Sequence, residues 1–67
     1  MAHSPVLLIV DDDVGFVRAA AEIARALGFE VVIAGSLGQA RQRLREHAFD
    51  VALVDLSLPD GSGLELL

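Results

Sequence analysis

Three short apolar runs, Val6–Val10, Val31–Ile33 and Val51–Val54, punctuate the chain at intervals of about twenty residues, and this spacing most constrains the fold. Each run is rich in β-branched residues and carries no charge, which is the pattern of a buried strand. Pro5 is tolerable because it precedes the first strand. Between the runs the pattern turns helical. From Val14 to Leu27, Phe16, Ala20, Ile23 and Leu27 recur at helical spacing and predict the inward face. Arg18, Glu22 and Arg25 fall on the other side, spaced for surface pairing. Gly28 is a helix stop. Glu30–Ala34 holds the second strand. Ser36 with Gln39 then makes a capping box that opens a second helix, running to about His47 with Leu37, Ala40 and Leu44 inward. Its outer face holds Gln39, Arg41, Gln42, Arg43, Arg45 and Glu46, the composition of a solvated helix surface. The order β-α-β-α-β calls for parallel strands, right-handed crossovers and helices on both faces of the sheet.

After Val51–Val54 the chain changes character. Asp55 ends the apolar run, and Leu58-Pro59-Asp60-Gly61-Ser62-Gly63 is dense in turn-forming residues. Ser62 stands three residues before Glu65, a further capping box, which predicts that a third helix opens there. A carboxylate run, Asp11-Asp12-Asp13, ends the first strand in the same manner. In open parallel sheets ligands bind outside the carboxyl ends of strands, and in a flavodoxin-like order 2-1-3 those ends would adjoin. Asp11, Asp12 and Asp55 would then converge. Crowded carboxylates repel one another, and a hard cation held by oxygen ligands is the usual remedy, which favours Mg²⁺ or Mn²⁺ over zinc. No G-x-G-x-x-G follows the first strand, which argues against a dinucleotide site of the Rossmann kind.

Composition narrows the function classes. The 67 residues are 54% hydrophobic, a high share for so short a chain, yet no apolar run approaches the roughly 20 residues of a membrane helix. Ten acids against five arginines, with no lysine, argue against direct nucleic-acid binding. The chain has no cysteine, hence no disulfide and no thiolate metal site, in keeping with a cytoplasmic address. Residues 1–5, which include His3, lack a signal-peptide pattern and read as a disordered leader. His47 suits the dipole at a helix C-terminus, and neither histidine reads as a ligand.

Val10-Asp11-Asp12-Asp13, the strand-end Asp55 and the stretch Asp55–Leu67, DLSLPDGSGLELL, together closely resemble the receiver domain of two-component response regulators, from Val6 to Leu67. The resemblance implies a doubly wound α/β fold of flavodoxin type, of which residues 6–67 form the N-terminal part: β1-α1-β2-α2-β3 and the start of α3. It implies Asp55 as phosphoacceptor, Asp12 as direct Mg²⁺ ligand, Asp11 as an acid acting on the metal largely through water, and the Ser57 carbonyl as a further ligand. Asp13 has no direct metal role in that pattern, and Pro59 and Gly61 match the loop that shapes the site. The implied phosphodonor is a phosphohistidine on a sensor histidine kinase or phosphotransfer protein, making the chain a signalling domain rather than an enzyme. The family also uses a Ser/Thr and a Lys from later strands, and these 67 residues hold neither counterpart. Phosphorylation of Asp55 is expected to be impaired accordingly. Two other readings compete with this one. Asp11-Asp12-Asp13-Val14 resembles the D-x-D motif of haloacid-dehalogenase-type phosphatases, with Asp11 as nucleophile and Asp13 as general acid, although Gly15 fits that motif poorly. A non-signalling structural fragment is the other. An uncovered Val51–Val54 edge is expected to drive homo-oligomerisation.

Overall fold

The computed structural model of the chain describes residues 4–67. Its elements are β1 (Val6–Val10), α1 (Val14–Ala26), β2 (Glu30–Ala34), α2 (Leu37–Glu46), β3 (Val51–Val54) and a single 3₁₀ turn, η1 (Gly63–Leu66). The three strands form one parallel sheet in the order β2-β1-β3. This is the flavodoxin-like α/β arrangement expected from the strand and helix pattern. Register is continuous along β1, which pairs from Val6↔Glu30 to Val10↔Ala34 on one side and from Leu7↔Val51 to Val10↔Val54 on the other. Of the expected leader, residues 1–3, and His3 with them, lie outside the described residues. Ser4 and Pro5 are exposed, and the Pro5 carbonyl accepts from Glu30 N–H at 2.8 Å.

Two apolar clusters sit on opposite faces of β1, as alternation along a strand requires. Leu7 and Ile9 pack with Val17, Ala21 and Ala24 of α1. Leu8 and Val10 pack with Ala34, Leu37, Ala40 and Leu58 on the α2 side. Leu8, Ile9 and Leu37 are fully buried, and burial of each contributes roughly 1.5–3 kcal/mol. β1, enclosed by both clusters and both neighbouring strands, is the spine of the molecule.

Several expected core positions are displaced. The inward stripe of α1 is Val17-Ala21-Ala24, whereas Phe16, Ile23 and Leu27 are exposed and Ala20 is half-buried. Both stripes have helical period, so spacing alone does not choose between them. The small-residue stripe lets the helix backbone approach Leu7 and Ile9 closely, and Ile23 and Leu27 border a trough beside Val51 and Leu53 of β3. Leu44 of α2 is likewise exposed, leaving Leu37 and Ala40 as its buried residues. The third run is not fully buried: Val51, Ala52 and Leu53 are exposed and Val54 half-buried, because β3 pairs with β1 alone. Arg18, Glu22 and Arg25 do not pair with one another. The ion pairs among the described residues are Arg41–Glu65 and Arg43–Glu46.

Helix ends follow local chemistry closely. Asp13 caps α1 by accepting from Phe16 N–H at 3.1 Å. At the other end Leu27 is the last cap residue and Gly28 adopts φ +97°, with Phe29 N–H bonded to Ala24 C=O and Gly28 N–H to Arg25 C=O. That pair of bonds is a Schellman motif, and its left-handed residue is the reason for a glycine there. Ser36 Oγ caps α2 by accepting from Gln39 N–H, but Gln39 Oε1 turns to Gly35 N–H at 2.9 Å instead of completing the expected box. The Ser62–Glu65 box does form, with Glu65 Oε2 accepting from Ser62 N–H, and what it opens is 3₁₀ rather than α-helical.

Candidate functional site

The acids lie at the carboxyl end of the sheet. Asp11 follows β1 directly and Asp55 follows β3, and the two strands are hydrogen-bonded neighbours, so their ends emerge side by side. Asp55 N–H donates to Val10 C=O at 2.8 Å, which continues the ladder and ties the start of the loop to β1. Asp11 N–H donates to Ala34 C=O at 3.0 Å, anchoring the other wall to β2. Each of Asp11, Asp12 and Asp55 offers a carboxylate oxygen, and these oxygens all lie within 4.8 Å of one another. Asp11 and Asp55 are half-buried and Asp12 is exposed.

Two short turns hold the half-buried pair. Asp11 Oδ1 accepts from Asp13 N–H at 3.0 Å, and Asp55 Oδ1 accepts from Ser57 N–H at 3.2 Å. Each bond engages one carboxylate oxygen and orients the other. Asp13 is adjacent in sequence but takes no part in the cluster, its Oδ1 being committed to the α1 cap. Oxygen-only donors, converging from two strand ends with no basic side chain among the described residues paired to any of the three, fit a hard divalent cation such as Mg²⁺. A cleft floored by Val14, Val17, Ala21 and Ile33 runs from Asp11 and Asp12 along α1, rimmed by Arg18, Glu22 and Arg25.

The loop after Asp55 is closed on itself. Leu58 and Gly61 form an antiparallel bridge, N–H to C=O in both directions at 3.0 and 3.3 Å, and Gly63 N–H donates to Leu56 C=O at 3.2 Å. Gly63 is buried against the end of β3: a Cβ there would overlap the Asp55 carbonyl oxygen and lie 2.6 Å from Val54 Cγ1. Only glycine allows this approach.

One residue that sequence patterns did not mark is Asp60. Its carboxylate accepts from two successive amides at the start of α2, Leu37 N–H at 2.7 Å and Gly38 N–H at 3.0 Å. Those bonds, the Leu37 one foremost, hold its carboxyl below the usual carboxylate range, with Arg41 adding to the effect. In the sequence Asp60 reads as a turn residue after Pro59, and nothing local points to a helix over twenty positions earlier. Asp50, at the start of β3, similarly accepts from Val6 N–H at 2.8 Å.

Comparison with known proteins agrees with this geometry. The model of the response regulator receiver domain family matches residues 7–67, and the chain belongs to that family. It is 43% identical over 61 residues to the acid tolerance regulatory protein ActR of Rhizobium meliloti (strain 1021), a match that covers 91% of this chain and 31% of ActR. It is 32% identical over 68 residues to the transcriptional regulatory protein ZraR of Escherichia coli (strain K12), covering 100% of this chain and 15% of ZraR. Among solved structures, the non-phosphorylated HemR receiver domain of Leptospira biflexa superposes with a TM-score of 0.86 at 35% identity, covering 92% of this chain and 50% of that one. The chain therefore spans under a third of these regulators and half of the solved receiver domain.

Proposed function

We propose that this chain accepts a phosphoryl group on Asp55 as the N-terminal portion, residues 6–67, of a response regulator receiver. The observation that supports it best is the convergence of Asp11, Asp12 and Asp55 at the ends of two adjoining parallel strands. In this reading Asp12 and Asp55, with the Ser57 carbonyl, would hold Mg²⁺ directly, Mn²⁺ being an alternative, and Asp11 would act on the metal through water. Bound Mg²⁺ would neutralise the carboxylates and the incoming phosphoryl oxygens. Asp55 is the nucleophile. One of its oxygens forms a bond to phosphorus as the bond from phosphorus to the donor's imidazole nitrogen breaks, and that nitrogen departs with the electron pair. Asp11 and Asp12, fixed at the end of β1, hold the opposite wall of the site while Asp55 is oriented by Ser57 N–H. The donor is a phosphohistidine of a sensor histidine kinase or phosphotransfer protein, and the address is cytoplasmic. The chain acts as a signalling module rather than as a turnover enzyme. A further partner is a second copy of the chain, through the open edge of β3.

Incubating the chain with acetyl phosphate and Mg²⁺, then locating the added phosphoryl group by peptide mass mapping, tests this. A slow gain on Asp55, absent in Asp55→Asn, is expected. Loss of one preorganised charge-stabilising group lowers rates by about 10²–10³-fold, and no lysine is present here to serve as one. Label that persists in Asp55→Asn and disappears in Asp11→Asn would overturn the reading in favour of a phosphatase of the haloacid-dehalogenase type.

A further inference from the structure

We propose that Asp60 is a positioning residue for the Asp55 site: its carboxylate staples the loop that carries Ser57 onto the start of α2. The proposal rests on the reading of Asp55 given above. The loop's own hydrogen bonds, between Leu58 and Gly61 and from Gly63 to Leu56, preserve its shape but do not set its place against the sheet. Leu58, buried in the α2-side cluster, anchors it without direction, as apolar contacts do. Asp60 supplies the direction. Two charge-assisted bonds to adjacent amides fix both the position and the rotation of the loop relative to α2.

The helix does not need this acid for its own sake. Ser36 already caps α2 locally through Gln39 N–H, and Ala40 N–H reaches Ser36 C=O. Asp60 takes the two remaining amides of the first turn from 23 and 22 positions away. Such a contact constrains the loop more than it constrains the helix. Ser57 needs the constraint, since the bond from its N–H to Asp55 Oδ1 is long at 3.2 Å. The nearby Arg41–Glu65 pair, 3.4 Å apart and about half exposed, is too solvated to hold the loop in its stead.

The test compares Asp60→Ala with Ser36→Ala, which removes the local cap of the same helix without touching the loop. Two measurements are made by NMR on each chain. Without metal, amide exchange at Leu58 and Gly61 should rise about fivefold or more in Asp60→Ala and stay near wild type in Ser36→Ala. On titration with Mg²⁺, the midpoint read at the Asp55 and Ser57 amides should move to about tenfold higher concentration in Asp60→Ala alone. Wild-type loop exchange in Asp60→Ala would overturn the staple. A midpoint moved equally by Ser36→Ala would overturn positioning and leave helix stability as the cause. A wild-type chain with no response to Mg²⁺ would overturn the Asp55 reading and the positioning role together, with metal-free exchange still separating the staple from the site.

Discussion

Five aspartates near the strand ends have distinct tasks, set by which amides lie within reach. Asp13 caps α1, Asp60 reaches the start of α2, and Asp11 and Asp55 each accept from the amide two residues on while presenting an oxygen to the cluster that Asp12 completes. The Asp60 bonds have a pH signature. Its carboxyl is held low in the folded chain, so the unfolded chain takes up the proton first as pH falls. The stabilisation is complete above the unfolded value of about 3.9 and is lost as pH drops through the lower, folded value. Arg41 from α2 is the charged side chain that adds to the effect, and it also pairs with Glu65 of η1. Urea unfolding as a function of pH should show wild type more stable than Asp60→Asn at neutral pH, with the gap closing on acidification. A gap independent of pH would mean that the charge of Asp60 contributes nothing. The convergence of Asp11, Asp12 and Asp55 was legible in the sequence, because an acid straight after an apolar run stands at a strand end whatever the details. Asp60 was not legible, because its partners are set by how the loop folds back and not by any local spacing.

At the scale of elements, boundaries were easier to read than faces. Helix caps depend on a few neighbouring residues, so Gly28 and Ser36 marked real ends. The inward face of α1 depends on what it packs against. Its apolar surface is wide enough to hold both the Phe16-Ile23-Leu27 stripe and the Val17-Ala21-Ala24 stripe, and close approach to Leu7 and Ile9 selects the smaller one. The short η1 turn illustrates the same limit: its capping box was legible, its 3₁₀ geometry was not. Here the decisive contact is between elements, Gly63 against the end of β3. Gly63→Ala should force η1 away from Asp55, lowering stability by about 1–3 kcal/mol as overpacking does. Urea unfolding gives the magnitude, and amide shifts at Asp55 and Ser57 report the movement. Unchanged stability and shifts would show that the turn can pivot without disturbing the site.

For the molecule as a whole, the two sheet edges are treated differently. On the outer side of β2, Arg43 Nε donates to Ile33 C=O at 3.4 Å, and the strand begins with the exposed charge of Glu30. Both features discourage another strand from pairing there. The outer side of β3 carries Val51-Ala52-Leu53-Val54, with no charge, proline or bulge. Val51 and Leu53 are 48% and 44% exposed, and they line a trough with Ile23 and Leu27 of α1, themselves 64% and 72% exposed. Apolar side chains and unpaired backbone groups are thus presented side by side. A second copy would satisfy both through a two-fold axis beside β3, setting the two strands antiparallel and joining the three-stranded sheets into one of six. Such an axis would also bring the two troughs toward each other, so that Ile23, Leu27, Val51 and Leu53 of one protomer would be covered by the other. Light scattering on the purified 67-residue chain should give twice its 7.1 kDa mass at high concentration. Leu53→Lys places a charge on the edge and in the trough at once, and should shift the mass toward that of one chain while leaving the α2-side cluster, which does not include Leu53, in place. A folded wild-type species that stays at 7.1 kDa at high concentration would overturn the pairing, since the open edge would then be tolerated by water alone.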